Sequence, residues 1–245
     1  MNFNIDSHTI FLTRHGSHAY GLNIATSDVD IKGVCIEPKE YHFGFFLYFE
    51  QFEQYANKGA ENDLVIYSLK KFFKLAADCN PNIIEILFVD DEVIIKSTEL
   101  GERVRSLGPE FLSKKAYHTF SGYAHSQLQR IKSHRAWLLN PPQKRPERTD
   151  FNLPNDKKLS SSEFGSLDHL VLDNVVLSEE IFTLFMREKQ FRAAEANWKQ
   201  YESWKANRNK DRAVLEAKFG YDTKHGMHLI RLMRMCREIL SEHKV

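Results

Sequence analysis

Two aspartates, Asp28 and Asp30, stand at the head of a strand-like run over residues 29–36. Side chains alternate along a strand, so the two carboxylates are expected on one face while Val29 and Ile31 point into a core. Two like charges on one face repel unless a proton or a cation sits between them. An all-oxygen donor set of this kind suits magnesium or manganese. About ten residues upstream, Gly16-Ser17 breaks the chain directly after the β-branched run Thr9, Ile10, Phe11, Leu12, Thr13. Gly16 allows a close backbone approach to a bound group, and Ser17 adds a small hydroxyl donor. No GKS or GKT follows the glycine, so this is not a Walker-type loop.

Gly16-Ser17 followed by Asp28-x-Asp30 resembles the signature of the nucleotidyltransferase superfamily related to DNA polymerase beta. The fuller string GSHAYGLNIATSDVDIKGV is similar to a bacterial and phage branch of predicted nucleotidyltransferases. The likeness continues through YSLKKFFKLAADCNPNIIEILF and YDTKHGMHLIRLMR. It implies an α+β fold, with a small mixed-sheet catalytic lobe (1–108) followed by a mainly helical, basic lobe (109–245) that binds substrate or nucleotide. It also implies a third carboxylate on a neighbouring strand, acting as ligand and base for the incoming hydroxyl. Asp63, opening the run 62–67, matches best, with Glu61 as its rival. Three carboxylates would hold two magnesium or manganese ions. The resemblance thus implies transfer of a nucleoside monophosphate from a nucleoside triphosphate, such as ATP, to a hydroxyl, with release of pyrophosphate.

The remaining elements are those needed to position such a site. Ser68 is expected to cap a helix over 69–77, and Asn80-Pro81 to cap and open a second over 81–88. Val93, Ile94 and Ile95 form a further short strand. Glu85 sits within the apolar stretch of the second helix and receives no role. Residues 41–49 are dense in aromatics and suit either a strand or a surface patch. Residues 50–61 are expected to be a polar loop, and 101–109 the seam between the lobes.

The second half reads as helical. A helix over 113–139 carries Tyr123 and Arg130 on one face, and residues 140–165, with four prolines, are expected to form an ordered loop or a mobile insertion. Trp198, Tyr201 and Trp204 recur at helical spacing over 178–207, as a core stripe more readily than a base-stacking platform. Near the end, Asp222 or Thr223 can cap a helix on which Lys224, His228 and Arg231 fall at i, i+4 and i+7. Three cationic or ionisable groups near a helix N-terminus suit a triphosphate, and His18 beside the Gly-Ser pair could also touch phosphate. His225 and His228 also stand at metal-ligand spacing, but no local constellation completes a zinc site.

At 245 residues, with 42% apolar and 27% charged side chains, the chain has the composition of a soluble globular protein of one large or two smaller domains. No apolar run suggests a membrane span, and the three scattered cysteines fit packed thiols in a reducing cytoplasm. Residues 1–110 hold 10 Lys and Arg against 17 Asp and Glu, whereas residues 111–245 hold 24 against 16. An acidic, metal-carrying half beside a basic half suits a phosphate-bearing substrate. The acceptor could be an RNA end, a protein side chain or a small molecule, and the oligomeric state is open. Two other classes fit the same residues: a non-catalytic nucleotide- or RNA-binding protein on this fold, and a metal-dependent phosphohydrolase.

Overall fold

The computed structural model describes residues 3–23, 27–43, 45–55, 62–156, 158–172 and 178–245. Glu61, the rival third carboxylate, lies outside them. The fold is α+β. After a single turn, α1 (Ile5–His8), comes β1 (Thr9–His15), followed by β2 (Asp30–Cys35), α2 (Lys39–Phe43), β3 (Gln51–Gln54) and β4 (Asp63–Ser68). Next come α3 (Leu69–Ala77), α4 (Pro81–Leu87), β5 (Ile94–Ser97), α5 (Glu99–Ser106) and α6 (Gly108–Phe111). The remainder is helical: α7 (Ala116–Leu139), α8 (Ser161–Leu172), α9 (Glu179–Ala206), α10 (Lys210–Phe219) and α11 (Thr223–Glu242). Strand order is β3-β4-β2-β1-β5, with β2 and β4 parallel and the other pairs antiparallel.

By packing, the chain forms two compact units, one of residues 1–128 with 227–245 and one of residues 129–226. In the first unit the strand period sorts side chains between two faces. Phe11 and Val34 point to the larger core, where they meet Phe72 of α3, Ile83 and Ile84 of α4, Phe120 of α7 and Met235 and Ile239 of α11. Cys35 and Ile66 point the other way, onto Ile5 and Phe52. The helices start where local chemistry dictates. The Ser68 hydroxyl accepts from Lys71 N–H at 3.2 Å, and the Asn80 side chain accepts from Asn82 N–H at 3.0 Å, with Pro81 in the first turn.

Several expectations change. Residues 51–54 of the expected polar loop form β3, because Phe52 packs in the smaller core and the strand pairs with β4. Residues 101–109, expected as the seam, fall in α5 and α6. Gly101 is buried there against β1, and a Cβ at this position would run into the Ile10 carbonyl oxygen. The described residues of the aromatic stretch hold no strand: it opens in α2, and Phe43, Phe45, Phe46 and Tyr48 are exposed.

In the second unit, the segment expected to be a loop over 140–165 holds a 3-10 turn, Arg148–Phe151, and the start of α8. Arg148 organises it. Its guanidinium is buried, pairs with Glu188 of α9 at 2.8 Å and bonds the Pro154 carbonyl at 2.9 Å. Arg192 adds a second bond to Glu188 at 3.0 Å and lies over the Phe164 ring. Among the described residues no helix is long and apolar enough to cross a membrane.

Candidate functional site

The site grows from one row of the sheet. Cross-strand partners share a face, and here His15 of β1 faces Asp30 of β2, which faces Asp63 of β4. The parallel pairing of β2 and β4 therefore brings two carboxylates that are distant in sequence to the same sheet end. One row further in, Thr13 faces Lys32, which faces Val65; the next row, Phe11, Val34 and Tyr67, is core. Each row of β2 thus steps from acid to base to apolar as the strand enters the protein.

The chain turns sharply where β1 ends. Gly16 adopts φ +63°, in the left-handed region, and a Cβ on it would lie 2.6 Å from Asp30 Oδ2. Both facts call for glycine, and the second puts a carboxylate oxygen directly against the Gly16 backbone. The Gly16 N–H donates to His15 Nδ1 at 2.6 Å, so this glycine contributes room more than a donor. Ser17 and His18 complete the 3-10 turn, with the Ala19 N–H on the Gly16 carbonyl. The His18 Nε2 is buried without a hydrogen-bond partner.

Behind the row lies a buried ionic cluster that local sequence patterns did not single out. Glu85, on α4, meets Arg231 Nη2 at 3.1 Å with one oxygen and His15 Nε2 at 3.5 Å with the other. The Arg231 guanidinium also lies 4.3 Å over the Tyr20 ring, a cation–π arrangement. Burial pushes the Glu85 carboxyl above the usual range, against the pull of Arg231 and Lys32. The same burial, with Lys32 and Arg231 nearby, drives His15 down to about 3. A neutral His15 accepting at Nδ1 carries its proton on Nε2, which points at the Asn82 carbonyl, 3.3 Å away. Lys32 is lowered to about 8 by burial, opposed by Glu85 and Asp30. Burial and then the Glu85 charge raise the Tyr20 phenol.

Among the residues expected from the sequence, Gly16, Asp30 and Asp63 are brought together, with Ser17 and His18 in the adjoining turn. Arg231 reaches the same neighbourhood through Glu85, His15 and Lys32. Asp28 is exposed just outside β2, which begins at Asp30 rather than at 29. His228 lies on α11 in the first unit and is partly buried, whereas Lys224 belongs to the second unit and is exposed. The ligand atoms of Asp28, Asp30 and Asp63 do not form a set lying within 4.8 Å of one another; among the described residues, His134, Asp222 and His225 do. The sequence held a signal for the missed cluster. Glu85 is the sole charge in PNIIEILF, and an acid on an apolar helix needs a cation. The alternation that aligns Asp28 with Asp30 also carries Lys32 to that face.

Comparison with known proteins adds an independent line. A family model described as the RNA repair pathway DNA polymerase beta family matches residues 3–139. The later stretch 221–234 lies beyond that match. An uncharacterized protein of Methanocaldococcus jannaschii is 33% identical over 123 residues, 50% of this chain and 49% of its own length. An uncharacterized 38.9 kDa protein from the nrdC-mobD intergenic region of Enterobacteria phage T4 is 32% identical over 100 residues, 36% of this chain and 28% of its own length. The chain therefore spans about half the length of the first relative and less of the second.

Proposed function

The chain belongs to the RNA repair pathway DNA polymerase beta family, and on that premise we propose that it transfers a nucleoside monophosphate from a nucleoside triphosphate to a hydroxyl of RNA, releasing pyrophosphate. The observation that carries the reading is the row His15–Asp30–Asp63 with Gly16 folded against Asp30. The family's tie to RNA repair favours an RNA end over a protein or small-molecule acceptor.

Asp28, Asp30 and Asp63 offer only oxygen donors, a chemistry that suits magnesium or manganese, with Asp30 and Asp63 side by side on the sheet to hold an ion between them. Such ions, when bound, supply Lewis-acid stabilisation of the phosphate oxygens and of the attacking oxygen. The chain's own groups do the rest. Gly16, lacking a side chain, lets the Asp30 carboxylate close against the turn, which holds it beside the phosphate-binding groups. Ser17 and His18 offer donors in the turn, and Lys32 and Arg231 offset charge as pyrophosphate leaves. Glu85 and Tyr20 hold Arg231 in place, and neutral His15 fixes the turn through the Gly16 N–H. Asp63 takes the proton from the RNA hydroxyl as its oxygen bonds the α-phosphorus and the bond to pyrophosphate breaks. In this reading residues 1–108 carry the transfer chemistry and 109–245 supply binding groups, Arg231 among them.

The test is incubation with each NTP labelled at the α-phosphate, magnesium or manganese, and RNA with a free terminal hydroxyl. Label is expected in RNA with the wild-type protein and not with Asp30→Asn. Label that appears only as free NMP would indicate hydrolysis instead. Absence of both NTP binding and label transfer would overturn the reading.

A further inference from the structure

The second unit holds a site of different chemistry. Three side chains from two places in the sequence, His134 of α7 and Asp222 and His225 at the start of α11, present ligand atoms within 4.8 Å of one another. Asp222 Oδ2 lies 3.9 Å from His134 Nδ1 and 3.6 Å from His225 Nε2. Neither separation is a hydrogen bond. The His134 Nδ1 is buried with no hydrogen-bond partner, an arrangement that is unfavourable unless something fills the gap. The ligand atoms of a tetrahedral ion, at 2.0–2.2 Å from the metal, stand about 3.3–3.5 Å apart. A contraction of a few tenths of an ångström closes the two measured separations onto that geometry.

We propose that His134 Nδ1, Asp222 Oδ2 and His225 Nε2 bind a zinc-class divalent ion, leaving a fourth position open to the adjoining cavity. Two imidazoles and one carboxylate form a donor set that suits zinc rather than magnesium. The surroundings hold the ligands ready. Asp222 uses its other oxygen, Oδ1, to cap α11, accepting from the N–H groups of Lys224 at 2.9 Å and His225 at 3.2 Å. Its Oδ2 is thereby aimed at the two imidazoles. His134 stacks on Trp137 at 5.6 Å and leans on Trp204 at 5.5 Å, which fixes its ring.

All three residues line a cavity of about 720 Å³ that Arg130, Arg208, Arg212 and Lys199 also line. Arg208 is engaged by Glu216 at 2.6 Å. The excess of cations around the open position opposes a bare cation and favours an anion, such as a phosphate, as fourth ligand. The metal site stands apart from the transfer reading and does not rest on it.

The experiment is equilibrium dialysis of the full chain against zinc with excess magnesium present, paired with the visible spectrum of the cobalt(II) form. Wild type is expected to retain one zinc per chain and to show the intense absorption of four-coordinate cobalt. His134→Ala, His225→Gln and Asp222→Asn are each expected to lose both signals, while His169→Ala, an exposed histidine outside the cluster, keeps them. Asn at 222 preserves the helix cap, so the Asp222→Asn protein separates lost ligation from lost folding even where His134→Ala misfolds. No zinc retained by wild type, or zinc retained equally by His225→Gln and Asp222→Asn, would overturn the proposal.

Discussion

The carboxylate row in the first unit and the His–Asp cluster in the second differ in how each is built. The row is a product of sheet register. Asp30 and Asp63 open two parallel strands, and hydrogen bonding between those strands leaves them side by side. The cluster is a product of helix packing: its histidines come from α7 and α11, and aromatic stacking sets the angle of His134. A strand row arrays hard oxygen donors along a solvent-reaching edge. A helix pair with a capping aspartate instead buries nitrogen donors beside a cavity. Carboxylates play different parts in the two places: Asp30 and Asp63 stand as a pair in the row, whereas Asp222 serves the cluster alone.

The comparison breaks most sharply at Asp30. Asp30→Asn is expected to lower the rate of pyrophosphate release by about 100- to 1,000-fold, with zinc retention unchanged; a rate within a few fold of wild type would remove Asp30 from the chemistry. Glu85→Ala leaves Arg231 partly buried beside an empty pocket. It is expected to cost about 3 kcal/mol of stability, read by urea unfolding. Gly16→Ala forces a Cβ into the left-handed region and onto Asp30 Oδ2, at about 1–2 kcal/mol in backbone strain. Its transfer rate should fall further than its stability, since Asp30 must move.

Acid acts on both regions in the same direction, most strongly at His15. His15 is held at about 3, against 6.5 for a free imidazole. Between those values the unfolded chain binds a proton that the folded chain refuses, so this stabilisation is complete above pH 6.5 and is lost as pH falls toward 3. The slope is at most about 1.4 kcal/mol per pH unit. Unfolding followed across that window should lose part of its slope in His15→Gln and keep the part that buried His134 and His225, also held below the usual range, contribute. The smallest effect belongs to Asp222→Asn without metal. Asparagine caps as well as aspartate, so the midpoint should move by less than about 0.5 kcal/mol, and a gap from wild type should open only on adding zinc.

Much of the first unit was legible because its signals are local. The run Thr9 to Thr13, the caps at Ser68 and Asn80, and the strand opening at Asp63 each depend on neighbours a few residues away. Residues 51–54 misled because their strand has one half-buried aromatic, Phe52, and takes its partner from β4. Glu85 was passed over because nothing within its own helix neutralises it; its cations, Arg231 and Lys32, come from distant parts of the chain.

By itself the sequence determined that two oxygen-donor side chains stand two residues apart behind a glycine turn, and where the helix caps fall; the family was legible as a resemblance carried by the whole motif. The local features follow from side-chain type, strand period and spacing, which act over a few residues. Tertiary structure alone decided that Asp63 stands next to Asp30, that Glu85 links His15 to Arg231, and that His225 meets His134 and Asp222. Such contacts join segments far apart along the chain. They exist only where core packing offsets the entropy of bringing those segments together.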